Sequence, residues 1–160
     1  YILAKPNTAN TAGGVNGAEF RVKGAPAAGI LFTATANPNS NVALGNPFSN
    51  ESLPAGSRGG CNIAFPTCQL PDAQGYVLLY TVSATDISGV ADIEFVVDAA
   101  DPASNPNFVC PLINACDGPI FTAVCTNPGR AYLNHSLGGP CTEVAVQQQT
   151  WGEVKGLYAN

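Results

Sequence analysis

The sequence predicts an all-β fold, a jelly-roll or immunoglobulin-like β-sandwich of about eight to nine strands with a short C-terminal helix. Three observations lead to this prediction. The segment Tyr76–Asp98 is the densest run of strand-forming residues in the chain. Several other short segments alternate apolar and polar residues, which is the period of a half-buried strand. Turn signals built from Gly, Pro, Asn and Asp separate these segments about every 8–12 residues, as in sandwiches and jelly rolls.

The central segment predicts two strands, Tyr76–Ser83 and Val90–Asp98, joined through Asp86–Gly89. The first strand is apolar on both faces, as expected of a central strand that is covered on both sides. The second strand alternates three apolar residues with three acids: Ile93, Phe95 and Val97 against Asp92, Glu94 and Asp98. We expect the other strands to assemble around this central pair.

The N-terminal half predicts five further strands, separated by turns and by a loop over Asn46–Gly60. The strands are Tyr1–Ala4, Val15–Lys23, Ile30–Ala36, Val42–Leu44 and Cys61–Cys68. Val15–Lys23 has the clearest period of two, with an apolar face of Ala18, Phe20 and Val22. Its alternate residues, Glu19, Arg21 and Lys23, are expected to form a solvent-facing surface.

The chain after Pro102 is broken by proline and glycine every few residues, so only short strands are expected there. These are Phe121–Val124, Arg130–Leu133 and a last strand containing Val144 and Val146. Residues 1–149 therefore form the predicted sandwich domain, and residues 150–160 a separate helical tail. In the tail, four apolar residues fall at helical spacings: Trp151, Val154, Leu157 and Tyr158. Thr150 and Glu153 match a capping box at the start of this helix.

The composition excludes several classes of partner. Charged residues make up only 11% of the chain and the net charge is −5, whereas a typical protein has about 25% charged residues. Nucleic acid is not an expected partner, because the six Lys and Arg residues are scattered and nucleic-acid binding relies on clustered cations. No segment approaches the roughly 20 apolar residues of a membrane-spanning helix. The surface must be polar but weakly charged, so copies of the chain repel one another weakly.

The cysteines indicate an exported protein with three disulfides. The sequence begins at Tyr1 and contains no Met, which is typical of a mature product whose leader has been removed. An even number of cysteines favours a secreted location, extracellular or at the cell surface. The sequential pairing Cys61–Cys68, Cys110–Cys116 and Cys125–Cys141 is favoured because short loops close at the lowest entropic cost. Asn50 and Asn134 each begin a glycosylation acceptor pattern.

No arrangement of residues points to catalysis, so a non-enzymatic protein is expected. His135 is the only histidine and lies in a turn-like sequence, and there is no Gly-x-Ser-x-Gly elbow. Asp92 and Glu94 share one strand face, as many strand acids do in sandwiches. The expected cofactor is none, although Asp98 and Asp101 are candidate ligands for a structural calcium ion because they precede an Asn-rich loop.

Two segments resemble known families. Val15–Val22 resembles the second strand of cohesin-like domains, which form a nine-stranded jelly-roll sandwich, and Tyr76–Asp98 is similar to their later core strands. The ending Thr150–Tyr158 is similar to the Thr-Trp-Gly-x-Val-Lys-x-Leu-Tyr tails of small exported, cysteine-containing bacterial β-proteins of unassigned function. Neither resemblance supplies site residues. The six cysteines and the broken region after Pro102 depart from cohesins, so their dockerin-binding role is not carried over.

The sequence favours a secreted structural protein that associates with copies of itself, such as a subunit of a filament or surface layer. Both termini offer segments outside the central sandwich, so the expected interface residues are Tyr1, Ile2, Leu3, Trp151, Val154, Leu157 and Tyr158. The helix of the tail can dock either on its own sandwich or on a neighbouring subunit. The alternative function is an extracellular binding module for polysaccharide or a cell-surface protein, with Tyr76, Tyr80, Tyr132 and Trp151 as the available aromatic residues.

Overall fold

The computed structural model describes residues 1–6, 14–24, 30–87, 89, 93–116 and 122–133. Every regular element within these ranges is a β-strand, which confirms the predicted all-β class. The strands are β1 (Ile2–Ala4), β2 (Val15–Lys23), β3 (Ile30–Ala36), β4 (Val42–Asn46), β5 (Gly60–Gln69), β6 (Val77–Asp86), β7 (Ile93–Asp98), β8 (Leu112–Ala115), β9 (Thr122–Cys125) and β10 (Arg130–Leu133).

The smaller of the two sheets has three antiparallel strands in the order β1-β6-β3. β6 is the central strand, and β3 pairs with it along the whole length of β3, from Ile30 opposite Asp86 to Ala36 opposite Tyr80. β1 pairs with the opposite edge of β6, where Ala4 lies opposite Val77. The N-terminal strand therefore belongs to its own chain's sheet.

The larger sheet has seven strands, with β10-β7-β2-β5-β4 as its main path. β2 is long enough to pair with three neighbouring strands. One side of the strand pairs with β5, while the other pairs with β8 near its beginning and with β7 near its end. Additional pairing joins β8 to β9. This arrangement makes β2 the strand on which most of the sheet depends.

The two sheets pack face to face around one core, consistent with the predicted β-sandwich. Phe20 of the larger sheet meets Tyr80 of the smaller sheet edge-on, with ring centroids 6.1 Å apart. Phe32 and Phe95 make a second contact of the same kind at 5.4 Å. Aromatic rings at these separations and angles contribute favourable contacts beyond the area they bury. The apolar face predicted for β2 lies in this core, and Phe95 and Val97 of β7 pack against it.

Three predictions about the strands need correction. β6 and β7 do not form a central pair, because they belong to different sheets and the chain crosses between layers after Asp86. β8 was not expected, because Leu112–Ala115 is short and buried on both faces, so it lacks the alternation that reveals a half-buried strand. The solvent-facing surface predicted for β2 is wrong for Glu19 and Arg21, which are both buried.

The bounds of β2, β3 and β10 agree with those predicted. The last predicted strand, the helical tail and the domain boundary between residues 149 and 150 lie outside the described residues.

Candidate functional site

The most unusual feature of the described residues is a buried arginine surrounded by carboxylates. Arg21 is only 7% exposed and lies on β2 directly opposite Asp98 of β7. Its Nη2 atom donates to Asp98 Oδ2 at 3.1 Å, and its Nη1 atom donates to Asp101 Oδ2 at 3.3 Å. Nη1 also lies 3.5 Å from Glu51 Oε1. A planar guanidinium suits this role because its donors point to several acceptors at once.

Two further cations lie at the rim of this group. Lys23 Nζ is 2.8 Å from Asp98 Oδ2, and Arg58 Nε is 3.8 Å from both Glu51 Oε2 and Asp101 Oδ2. We call these six residues the Arg21 cluster: Arg21, Lys23, Glu51, Arg58, Asp98 and Asp101. Its three cations balance its three acids, so the cluster carries no excess charge that would attract an ion from solution.

The Arg21 cluster joins two loops to the larger sheet. Ser49 is buried; its hydroxyl donates to Glu51, and its backbone N–H donates to the Val22 carbonyl oxygen at 3.1 Å. Asp101 pairs through its backbone with Gly59, and its Oδ1 atom accepts from the Gly56 N–H at 2.6 Å. The loop between β4 and β5 and the segment after β7 therefore meet above β2. This geometry provides rigidity, since each loop is fixed by both backbone and charged contacts.

Glu19 makes a second buried polar contact near the first. Both the backbone N–H and the hydroxyl of Ser104 donate to its carboxylate, the N–H at 2.8 Å. The carboxylate thus fixes the loop that follows Asp101. A buried carboxylate needs such donors, because an unpaired charge is costly inside a protein.

The carboxyl of Asp98 illustrates the balance of forces in the Arg21 cluster. Partial burial acts to raise its pKa, but hydrogen bonds from Lys23, the Ala99 N–H and Arg21 outweigh that effect. The pKa of Asp98 therefore lies below its usual range. Asp98 is ionised at neutral pH and acts as an ion-pair partner rather than as a proton donor.

The structure gives the two calcium candidates a different role. Asp98 and Asp101 do come together, but their carboxylates face arginine and lysine, which occupy the oxygens that calcium would need. Among the described residues, no group of three or more His, Cys, Asp and Glu side chains could hold a metal ion. His135 lies outside the described residues, so the structure does not place the histidine of a hydrolytic triad.

The disulfides differ from the sequential pairing. Cys68 is bonded to Cys116 and Cys110 to Cys125, with Cα–Cα distances of 6.2 and 5.6 Å. Cys61 carries a free thiol in this structure, and Cys141 lies outside the described residues. The predicted Cys61–Cys68 and Cys110–Cys116 bonds are wrong, and with them Cys125–Cys141. The physical reason is that a bond forms where the fold brings two Cα atoms close together, which loop entropy alone does not determine.

Cys61 is a core residue. Its side chain is 2% exposed, on β5 opposite Phe20 of β2. Burial raises the pKa of the Cys61 thiol to about 12, opposed by the neighbouring Tyr80 hydroxyl and reinforced by the negative charge of Glu19. Burial likewise raises the pKa of the Tyr80 hydroxyl. A thiol in such surroundings stays protonated and is a poor nucleophile.

Of the predicted interface residues at the N-terminus, Ile2 and Leu3 lie on β1 and Tyr1 precedes it. This strand completes its own sheet rather than a neighbour's, and Ile2 packs against the core. Tyr1 and Leu3 are exposed, so their part in an interface stays a prediction. The remaining predicted interface residues, Trp151, Val154, Leu157 and Tyr158, lie outside the described residues.

Large apolar side chains are exposed on two edge strands. Leu31 of β3 is 62% exposed, and Leu44 of β4 is 64% exposed. β3 ends the smaller sheet and β4 ends the main path of the larger sheet, so each has one side without a strand partner among the described residues. Neither strand contains a charged residue. Unprotected edges of this kind are available for pairing with another chain.

Exposed polar groups surround one aromatic residue at the opposite edge of the larger sheet. Tyr132 of β10 is 44% exposed and lies opposite Glu94 of β7. Glu94 Oε1 accepts hydrogen bonds from the Tyr132 hydroxyl at 2.9 Å and from Arg130 Nη1 at 2.5 Å. These bonds hold the pKa of Glu94 below its ordinary value. The result is an aromatic ring flanked by an acid and a cation on one surface.

Comparisons with protein-family models, with curated proteins and with solved structures found no match. Among the described residues, no helix is long and apolar enough to cross a membrane.

Proposed function

We propose that this chain is a non-enzymatic extracellular structural protein that associates with copies of itself, as a subunit of a filament or surface layer. The proposal includes a sandwich of the jelly-roll or immunoglobulin-like type with a short C-terminal helix. It assigns the chain a role in contact between subunits rather than in chemistry.

The observation that carries the proposal is the composition of the two edge strands. β3 and β4 expose Leu31 and Leu44 and contain no charged residue. Natural proteins that remain monomeric usually protect sheet edges with charges, prolines or bulges. An edge without charges can add a strand from another copy, which satisfies its open backbone groups.

Two further features support the extracellular part of the proposal. The disulfides Cys68–Cys116 and Cys110–Cys125 join distant parts of the chain, and such bonds persist in oxidising compartments. The Arg21 cluster fixes the surface loops without offering a reactive group. A rigid, weakly charged body of this kind suits repeated packing.

The proposal is tested by the oligomeric state of the full chain. Light scattering coupled to size-exclusion chromatography should show mass above that of a monomer, increasing with protein concentration. Electron microscopy of native secreted material should show ordered assemblies. Monomers at every concentration, together with the absence of assemblies in native material, would rule the proposal out.

A binding module for polysaccharide is the second candidate, favoured by the surface around Tyr132. An exposed ring beside Glu94 and Arg130 offers a stacking surface together with a hydrogen-bond acceptor and a donor. Binding to insoluble polysaccharides should then decrease in Tyr132→Ala and persist in Tyr1→Ala, which removes an exposed ring elsewhere. Equal binding by both variants, or no binding by the unaltered chain, would reject this candidate.

A further inference from the structure

We propose that the subunits pair through β3, with the β3 strands of two copies lying antiparallel about a two-fold axis at Thr33. The two small sheets then become one continuous sheet of six strands, two copies of β1-β6-β3. This inference rests on the proposed function and names the surface that performs it.

β3 differs from every other edge strand that the structure describes. β1 has three residues, and β9 and β10 have four each. β4 has five residues and contains Gly45 at a φ of 80°, far from the backbone angles of a regular strand. β3 has seven residues, with no charge, proline or glycine. Short length, charge and bulges protect edges, and β3 has none of these protections.

The sequence of β3 is complementary to itself in the antiparallel direction. Its first three residues are large, Ile30, Leu31 and Phe32, whereas the rest are Thr or Ala. Pairing about Thr33 places Ile30 opposite Ala36, Leu31 opposite Thr35 and Phe32 opposite Ala34 of the second copy. Each large side chain then faces a small one, which favours close packing across the strands. A parallel arrangement would place like against like, with Phe32 against Phe32.

The outer face of the small sheet is also compatible with this pairing. Thr33 and Thr35 of β3 lie opposite Ser83 and Thr81 of β6, and all four are exposed. The pairing therefore extends a row of uncharged hydroxyl side chains across the axis. Each chain carries a net charge of −5, so copies can approach most easily where charges are absent.

The size of this contact indicates its strength. Stable interfaces usually bury about 1,200–2,000 Å² in total, and one strand pair is a small contact by that measure. We therefore expect a concentration-dependent equilibrium in solution, which becomes stable where many copies are held together.

Two lysine substitutions distinguish association through the edge of β3 from association through the outer face of the small sheet. Thr33→Lys places a charge on the edge strand, and Ser83→Lys places the same charge on the same face of the central strand, directly opposite. By sedimentation velocity on the full chain, Thr33→Lys should raise the dissociation constant at least about tenfold, and Ser83→Lys by less than about twofold. If both substitutions weaken association equally, the subunits meet through the face of the small sheet and not through the edge of β3. If neither substitution weakens association, the subunits meet through another surface. Either result overturns the inference. A chain that is monomeric without substitution contradicts the proposed function instead.

Cysteine substitutions test the register independently of any effect on folding. Opposing residues of an antiparallel pair have Cα atoms about 4.5–5.5 Å apart, within reach of a disulfide. Thr33→Cys should therefore form a covalent dimer under mild oxidation, above the background of the unaltered chain. Thr35→Cys should not, because its copies would be about 14 Å apart along the strands. Equal cross-linking of both would indicate parallel pairing, and absence of a Thr33→Cys dimer while the chain associates would also overturn the inference.

Discussion

Arg21 and Asp98 lie directly opposite each other on adjacent strands, and the guanidinium of Arg21 donates to the carboxylate of Asp98 at 3.1 Å. The same guanidinium also contacts Asp101 and Glu51. One side chain therefore holds together β2, β7 and two loops. The stability of this region depends on that single positive charge.

Replacement of Arg21 by Met should destabilise the chain strongly. Met retains much of the apolar stem but leaves the carboxylates of Glu51, Asp98 and Asp101 without their central cation. Breaking a buried ion pair costs about 3–5 kcal/mol; because these acids are partly exposed and keep Lys23 and Arg58, we expect about 2–3 kcal/mol.

Urea unfolding measures this loss, with Arg130→Met as the control. Arg130 also binds a glutamate, but on an exposed surface. Its replacement should leave the unfolding free energy unchanged within error. A loss in Arg21→Met as small as that of the control would show that the cluster does not contribute to stability.

Asp98 should make the stability depend on acid pH. Its pKa is lower in the folded chain than in the unfolded chain, so the folded state gains stability from the ionised form. That contribution is present above the unfolded pKa, which is about 4, and it is lost as the pH falls through the folded pKa. Asp98→Asn should therefore be less stable than the unaltered chain at neutral pH, and the difference should shrink below pH about 4. Urea unfolding of both proteins across this pH range measures the difference in unfolding free energy. A difference that stays constant with pH would contradict the prediction.

The strands were predictable where apolar and polar residues alternate along the sequence. Ala18, Phe20 and Val22 of β2 alternate with Glu19, Arg21 and Lys23, and the predicted bounds of β2 and β3 agree with the structure. β8 could not be predicted in this way, because its four residues are nearly all buried. The sequence also did not indicate that β6 and β7 belong to different sheets, because a short connection can form either a hairpin or a crossing between layers.

The Arg21 cluster was missed for a related reason. Alternation shows that Arg21 and Glu19 are on the opposite face from Phe20, but it does not show what covers that face. Here the loop after β4 and the segment after β7 cover it. The available signal was the coincidence of Arg21 and Lys23 on one strand with Asp98 and Asp101 at the end of another, and it becomes specific only when the pairing of these strands is known.

The two disulfides should contribute unequally to stability. Cys68–Cys116 closes a loop of 48 residues and Cys110–Cys125 one of 15. The entropy of loop closure gives about 4 kcal/mol for the longer and about 3 kcal/mol for the shorter. The double variant C68S/C116S should therefore unfold at lower denaturant concentration than C110S/C125S. The reverse order would show that local packing outweighs loop length, and peptide mapping without reduction checks the pairing itself.

Cys61 should be unreactive in the folded chain. Its thiol is buried and its pKa is raised to about 12, so very little thiolate is available to an alkylating reagent at pH about 8. Iodoacetamide should leave the Cys61 peptide unlabelled in the native protein and label it fully in urea, as shown by mass spectrometry. Labelling of the native chain, or recovery of Cys61 in a disulfide, would contradict the free buried thiol.

Gly24 and Gly56 form a matched pair that separates backbone strain from steric overlap. Both have a positive φ, 98° and 85°, which side chains other than glycine rarely adopt. A Cβ atom on Gly24 would overlap the carbonyl oxygen of Glu94, whereas nothing lies within 4 Å of the same position on Gly56. Gly56→Ala should therefore cost about 1 kcal/mol from strain alone, and Gly24→Ala more than about 3 kcal/mol, because the edge of β7 must move. Thermal unfolding of the two variants measures this difference in stability. Equal losses of stability would show that the backbone of β7 at Glu94 moves aside at little cost.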